Sequence, residues 1–82
     1  SIKMNGIAVE VLFFGKLVEI AGASLIIDDV KTTDELLEQL RLQYPLLAAE
    51  KYIVAVDKKM ITENTSLTNN STVALLPPFS GG

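Results

Sequence analysis

One segment of this 82-residue chain has the pattern of a helix, and it lies mid-chain between segments with the pattern of strands. Residues 32–44 place Leu36, Leu37, Leu40 and Tyr44 on a single apolar stripe. A hairpin, one crossing helix and later strands that close a mixed sheet give an α+β roll. The position of this helix therefore limits the chain to a small fold with one sheet and one main helix.

The ends of this helix are marked by residues with known capping preferences. Thr32 and Glu35 have the spacing of a capping box, with Thr32 as the N-cap. Pro45 lacks a backbone N–H and is expected to end the helix. Residues 47–50 are predicted to add a further helical turn, and Leu42 lies off the apolar stripe.

Five segments are predicted to be strands: residues 7–14, 24–28, 52–56, 60–61 and 72–76. Residues 16–21 fit no single type. The first and last strands are the most apolar and are expected side by side in the centre, with the last strand covered on both faces. The predicted fold is the β-grasp, or ubiquitin-like, roll, with a mixed sheet of about five strands on one main helix.

The domain is predicted to span residues 1–76, followed by an extended tail, residues 77–82. Pro77 and Pro78 stop sheet pairing and hold the exit of the tail extended. In the polar loop before the last strand, Leu67 is the candidate for burial. Asn69 and Asn70 mark a turn, since asparagine tolerates left-handed geometry.

The composition excludes several kinds of chemistry. The chain has no cysteine and no histidine, which rules out a disulfide framework, a thiolate or histidine metal site and a histidine general base. The net charge of −3 argues against nucleic acid as a partner, and no apolar run is long enough to cross a membrane. We expect a cytoplasmic protein that binds no metal or cofactor and is not a catalyst on its own.

Residues inside the domain offer no convincing catalytic group. Asp28 and Asp29 are adjacent, so their carboxylates point apart rather than converging on a substrate. Gly15 and Gly22 do not form a phosphate-binding motif and are explained as turn residues. Ser80 has no histidine to activate it as a nucleophile.

The C-terminal tail is the predicted site of chemistry. Gly81 and Gly82 lack a Cβ, so this backbone can enter a narrow channel in another protein. The Gly82 carboxylate is then the reactive group: ATP adenylates it, and a sulfur or amine nucleophile displaces AMP. Ser80 and Gly81 belong to the inserted tail. Phe79 is either an aromatic anchor for a partner's pocket or a side chain folded back on the domain.

Three motifs resemble the small subunit of molybdopterin synthase, a family of ubiquitin-like sulfur carriers: residues 11–15 (VLFFG), 19–22 (EIAG) and 76–82 (LPPFSGG). The resemblance implies that a ubiquitin-activating-type enzyme, using ATP and magnesium, adenylates Gly82. The adenylate becomes a thiocarboxylate, and the tail inserts into the large synthase subunit. Sulfur then passes to cyclic pyranopterin monophosphate, and two transfers build the dithiolene of molybdopterin.

The chain departs from this family at one position. The family often carries an arginine before the glutamate that matches Glu19, whereas this chain has Val18, with Lys16 as the nearest cation. The surface that meets the partner is therefore expected to rest on apolar contacts. The candidate partner-binding residues are Phe79, Leu76 and Phe14.

Three alternative functions remain open from the sequence. The sulfur carrier of thiamin-thiazole synthesis shares the fold and the Gly-Gly end, although Pro77 and Pro78 and the longer chain favour the molybdopterin family. A ubiquitin-like modifier would be joined through Gly82 to lysines of its targets. A plain interaction domain would have no C-terminal chemistry. The sulfur donor and an α2β2 assembly of the synthase are also left open.

Overall fold

A computed structural model describes residues 7–78 of the chain. Its elements are β1 (Ala8–Phe13), α1 (Leu17–Ala21), β2 (Ser24–Asp28), α2 (Thr33–Gln43), a 3₁₀ helix (Pro45–Ala49), β3 (Ile53–Val56), β4 (Lys59–Ile61) and β5 (Thr72–Leu76). The five predicted strands and the main helix are confirmed. The segment that fitted no single type contains the short helix α1.

The five strands form one mixed sheet in the order β2-β1-β5-β3-β4. The hairpins β1–β2 and β3–β4 are antiparallel. β5 lies between them, parallel to β1 and antiparallel to β3. The predicted central pairing of the first and last strands is confirmed, and with α2 packed on the sheet this is the β-grasp fold.

The core lies between the sheet and the helices. Each helix contributes a fully buried leucine: Leu17 from α1, Leu36 from α2 and Leu47 from the 3₁₀ helix. Alternate residues of β1 and β5 form the sheet side of the core, namely Val9, Val11, Phe13, Val73 and Leu75. Leu67 is buried as predicted. Within the described residues, no helix is both long and apolar enough to cross a membrane.

The capping of α2 follows the prediction with one difference. The Thr32 hydroxyl accepts a hydrogen bond from the Glu35 N–H at 3.3 Å, as an N-cap does. The Glu35 carboxylate, however, accepts from the Lys31 N–H at 2.8 Å. Pro45 ends α2 but also begins the 3₁₀ helix, because its fixed φ suits the first turn of a helix.

The prediction that β5 is covered on both faces is wrong. Its buried residues alternate with the half-buried Thr72, Ala74 and Leu76. The buried leucines of the three helices all join one core, so the opposite face of the sheet has no helical layer within residues 7–78. We call this second face the open face.

Candidate functional site: the root of the tail and the open face

The tail leaves from the centre of the sheet. β5 ends at Leu76, whose partner in β3 is Ile53. On the other side, the Leu75 carbonyl accepts a hydrogen bond from the Phe14 N–H at 3.1 Å. Pairing on both sides therefore fixes the chain up to the residue before Pro77. Pro77 has no N–H to donate, so the ladder stops there.

Pro77 packs directly on Gly15, the residue that turns the chain after β1. Gly15 has a φ of +61°, in the left-handed region. A Cβ placed on Gly15 would lie under 3.0 Å from Cγ of Pro77 and 3.3 Å from its Cδ. The backbone conformation favours glycine here, and the close approach of the proline ring requires it, because the ring occupies the place of a side chain.

Four of the predicted site residues, Phe79, Ser80, Gly81 and Gly82, lie outside the described residues. The roles predicted for them stay predictions. The division into a domain and a tail at residue 76 also stays a prediction, although β5 does end there.

The other two predicted site residues, Phe14 and Leu76, lie beside each other at the root of the tail. Phe13 is paired with Leu75, so the next position of each strand brings Phe14 next to Leu76. The Phe14 side chain is 43% exposed, and Leu76 is half-buried. Neither belongs to the core or packs against it, so both are available to a partner. Their predicted role in binding stays a prediction.

The open face extends this apolar surface across the sheet. Leu12, Ala74, Ala55 and Met60 are successive cross-strand neighbours on four strands. Met60 is 63% exposed. Together with the row formed by Phe14, Leu76 and Ile53, they make an apolar surface that begins where the tail leaves the domain. Phe14 and Met60 are its exposed members, whereas Ala55 is buried, and the role of this surface in binding stays a prediction.

Polar residues limit the open face at the end far from the tail. Glu10 and Thr72 are paired there on the two central strands. Asp57 follows β3 at the same end, and its carboxylate accepts from the Thr72 N–H at 2.9 Å. The open face is therefore apolar near the tail and acidic at its far end, which favours a partner whose surface has the matching order of apolar and basic groups.

The cation nearest the turn is engaged within the domain. Lys16 lies 3.0 Å from the Glu50 carboxylate and joins the turn after β1 to the end of the 3₁₀ helix. Val18, at the position where the resembled family often has an arginine, is 37% exposed. The turn after β1 and the helix α1 thus present an exposed apolar side chain, Val18, and an ion pair formed within the domain by Lys16 and Glu50.

A groove of about 580 Å³ lies between the start of α2 and the β3–β4 hairpin, and Leu37, Tyr52 and Ile61 contribute to its lining. Ile53 and Met60 of the open face also line it, so the groove adjoins that face. It lies beside the edge strand β4, which β3 separates from β5. Among residues 7–78, no cluster of His, Cys, Asp and Glu could hold a metal ion.

Sequence reasoning missed the contact between Gly15 and Pro77 and the extent of the open face. The two residues are far apart in the chain, and nothing local in either segment signals the contact. The side-by-side placement of the first and last strands was predicted, however, and the structure shows that they are parallel, which brings the ends of both strands to the same edge of the sheet. That pairing was the one signal from which the contact could have been found.

A model of the ThiS family matches residues 11–82, from the middle of β1 through the last residue of the tail. The molybdopterin synthase sulfur carrier subunit of Dictyostelium discoideum is 31% identical over 81 residues, covering 89% of this chain and 94% of that protein.

Solved structures share the fold of this chain. Small archaeal modifier protein 1 from Methanosarcina acetivorans has a TM-score of 0.79 at 22% identity, covering 96% of this chain and 100% of that chain. A chain in the complex of subunits 1 and 2 of the molybdopterin-converting factor from Helicobacter pylori has a TM-score of 0.71 at 29% identity, covering 93% and 100%. The resemblance predicted from the motifs is confirmed, and the chain belongs to the ThiS family of ubiquitin-like proteins.

Proposed function

We propose that this protein is the sulfur carrier and small subunit of molybdopterin synthase, with a thiocarboxylate on Gly82 as the sulfur donor. One observation carries the proposal: the ThiS-family match continues through Gly82, so it includes the tail as well as the domain. A relative at 31% identity is named for this role in Dictyostelium discoideum.

The chemistry takes place at the Gly82 carboxylate. Its oxygen attacks the α-phosphorus of ATP on an adenylating enzyme that holds magnesium, and pyrophosphate leaves. Hydrosulfide then attacks the acyl carbon, AMP leaves, and loss of a proton gives the thiocarboxylate. ATP and magnesium belong to the activating enzyme, and this chain binds no cofactor.

The charged carrier then delivers its sulfur. The tail inserts into the large synthase subunit, where the thiocarboxylate sulfur bonds to a side-chain carbon of cyclic pyranopterin monophosphate and displaces an oxygen substituent from that carbon. Water cleaves the acyl–sulfur bond and returns Gly82 to a carboxylate. Two such transfers supply the two sulfur atoms of the dithiolene.

The geometry at the tail root supports this role. Sheet pairing on both sides holds Leu75, and β3 also holds Leu76. Two prolines follow, which lowers the conformational entropy lost when the tail is inserted. The apolar surface around Phe14 and Leu76 gives the large subunit and the adenylating enzyme a docking surface next to the reactive end. The Helicobacter pylori relative was solved in complex with its subunit 2.

The test is the intact mass of the protein after incubation with an adenylating enzyme, ATP, magnesium and hydrosulfide. We expect a mass gain equal to the replacement of one oxygen by sulfur. A chain that lacks Gly82 is the control and should gain nothing. An unchanged mass for the full chain, under conditions that thiolate another carrier, would refute the proposal.

A ubiquitin-like modifier is the second candidate, because a solved relative of the same fold is named a small archaeal modifier protein. It would give heavier conjugates through lysines of other proteins in a cell extract, and these would also need Gly82.

Adding the large subunit and cyclic pyranopterin monophosphate to the thiolated protein separates the main proposal from the thiazole carrier, which would leave the pyranopterin unchanged.

A further inference from the structure

We propose that Gly15 is a positioning residue for the C-terminal tail: its missing side chain seats Pro77 and so sets the direction in which the reactive end leaves the domain. This inference rests on the proposed function, because it concerns delivery of the Gly82 carboxylate to an activating enzyme. Gly15 itself touches no substrate.

The contact acts at the first residue that sheet pairing does not hold. Leu75 and Leu76 are fixed by β1 and β3, so β5 cannot yield without losing its pairing. A Cβ on Gly15 would lie under 3.0 Å from the Pro77 ring, whereas ordinary contact begins at 3.4 Å. We therefore expect the ring to move, together with Pro78, the last residue that the structure describes.

The two prolines pass this displacement on. Each has a fixed φ, so Pro77 and Pro78 cannot absorb a shift by rotating about that bond. A misplacement of about 1 Å at a reacting group can lower a rate by roughly 100-fold. A methyl group at position 15 is thus expected to impair adenylation even though it lies well before the reacting carboxylate in the chain.

A matched control exists in the same part of the fold. Gly22 also has a positive φ, +88°, and a Cβ placed on it would meet nothing within 4 Å. Gly22 has a ψ of −178°, a conformation adopted almost only by glycine, so Gly22→Ala introduces backbone strain at least as large without touching the tail. A purely conformational role for Gly15 predicts that Gly22→Ala impairs adenylation at least as much as Gly15→Ala.

The experiment measures kcat/KM for adenylation of the carrier, together with unfolding by urea, for five proteins: the wild type, Gly15→Ala, Gly22→Ala, Pro77→Ala and the double variant Gly15→Ala/Pro77→Ala. The assay is run at a temperature at which the urea curves show all five to be folded. We expect both glycine variants to lose stability. We expect kcat/KM to fall roughly 10- to 100-fold in Gly15→Ala and to stay within about twofold of the wild type in Gly22→Ala.

The double variant decides the mechanism. Pro77→Ala removes the ring atoms Cγ and Cδ that the new methyl group would strike, so adding it to Gly15→Ala should restore kcat/KM to the level of Pro77→Ala alone. Equal activity of the two glycine variants would overturn the inference, as would an activity loss that Pro77→Ala does not rescue. A wild-type protein that is not adenylated would overturn the proposed function itself, and this inference with it.

Discussion

Two adjacent leucines of β5 allow the fold and the proposed docking surface to be tested separately. Leu75 is fully buried in the core, whereas Leu76, the next residue, is half-buried on the open face. Each is replaced by alanine, so the same atoms are removed from neighbouring positions of one strand. We expect Leu75→Ala to affect mainly stability and Leu76→Ala to affect mainly binding of the large subunit.

The magnitudes follow from burial. Removing a buried leucine side chain costs about 2–5 kcal/mol, because a cavity is left as well as apolar area exposed. A domain of 82 residues has a total stability of about 4–12 kcal/mol, so Leu75→Ala removes a large share of it and lowers the Tm by roughly 8–40 °C. Leu76→Ala leaves no enclosed cavity and should cost about 1 kcal/mol in stability.

For binding of the large subunit we expect the opposite order, with the larger effect in Leu76→Ala and the smaller one in Leu75→Ala. We expect truncation of Leu76 in the docking surface to cost about 1 kcal/mol of binding free energy, which raises the Kd for the large subunit roughly fivefold in Leu76→Ala. Leu75→Ala, measured well below its own Tm, should bind as the wild type does.

The assays are urea denaturation followed by circular dichroism and isothermal titration with the large subunit. Equal losses of stability in both variants would show that Leu76 belongs to the core and would refute the assignment of an open face. Unchanged affinity in Leu76→Ala would remove Leu76 from the docking surface.

Three further predictions concern the domain alone. Lys58 has a φ of +74° in the β3–β4 turn, so Lys58→Gly should raise the free energy of unfolding by about 1 kcal/mol in urea denaturation; no gain would show that the strain is absent. The buried Thr33 hydroxyl accepts the Thr65 N–H at 2.9 Å, and Thr33→Val should cost about 1–3 kcal/mol, with Thr33→Ser retaining most of the stability. The exposed ion pair of Lys16 and Glu50 should contribute less than about 1 kcal/mol, so Lys16→Ala should change the Tm little, and less still at high salt.

The fold was predictable where local signals agree with tertiary structure. β5 has the predicted limits, since a continuous apolar run lies between an asparagine turn and two prolines, and Asn70 does have a positive φ of 72°. The short helix α1 was not predictable. It has five residues, of which Leu17 is the buried one, and such a length is too short for a helical period to be recognised.

The site was predictable in part for the same reason. Phe14 and Leu76 could be named from the sequence because they lie within two of the recognisable motifs, residues 11–15 and 76–82. The open face could not be predicted, because Ala74 and Leu76 of β5 are apolar whether their face of the sheet is covered or only half-buried. The covering of β5 was therefore overestimated. The absence of a helix on that face within residues 7–78 reveals the surface.

The central position of β5 links the stability of the domain to delivery of the tail. A tail attached to an edge strand such as β4 would be free to fray together with that strand, because edge strands open at low free-energy cost. β5 instead pairs with β1 on one side and β3 on the other, and its side chains Val73 and Leu75 are fully buried. Opening its end requires breaking two ladders and exposing the core, which costs a free energy close to that of global unfolding. The root of the tail is thus as rigid as the sheet that holds it.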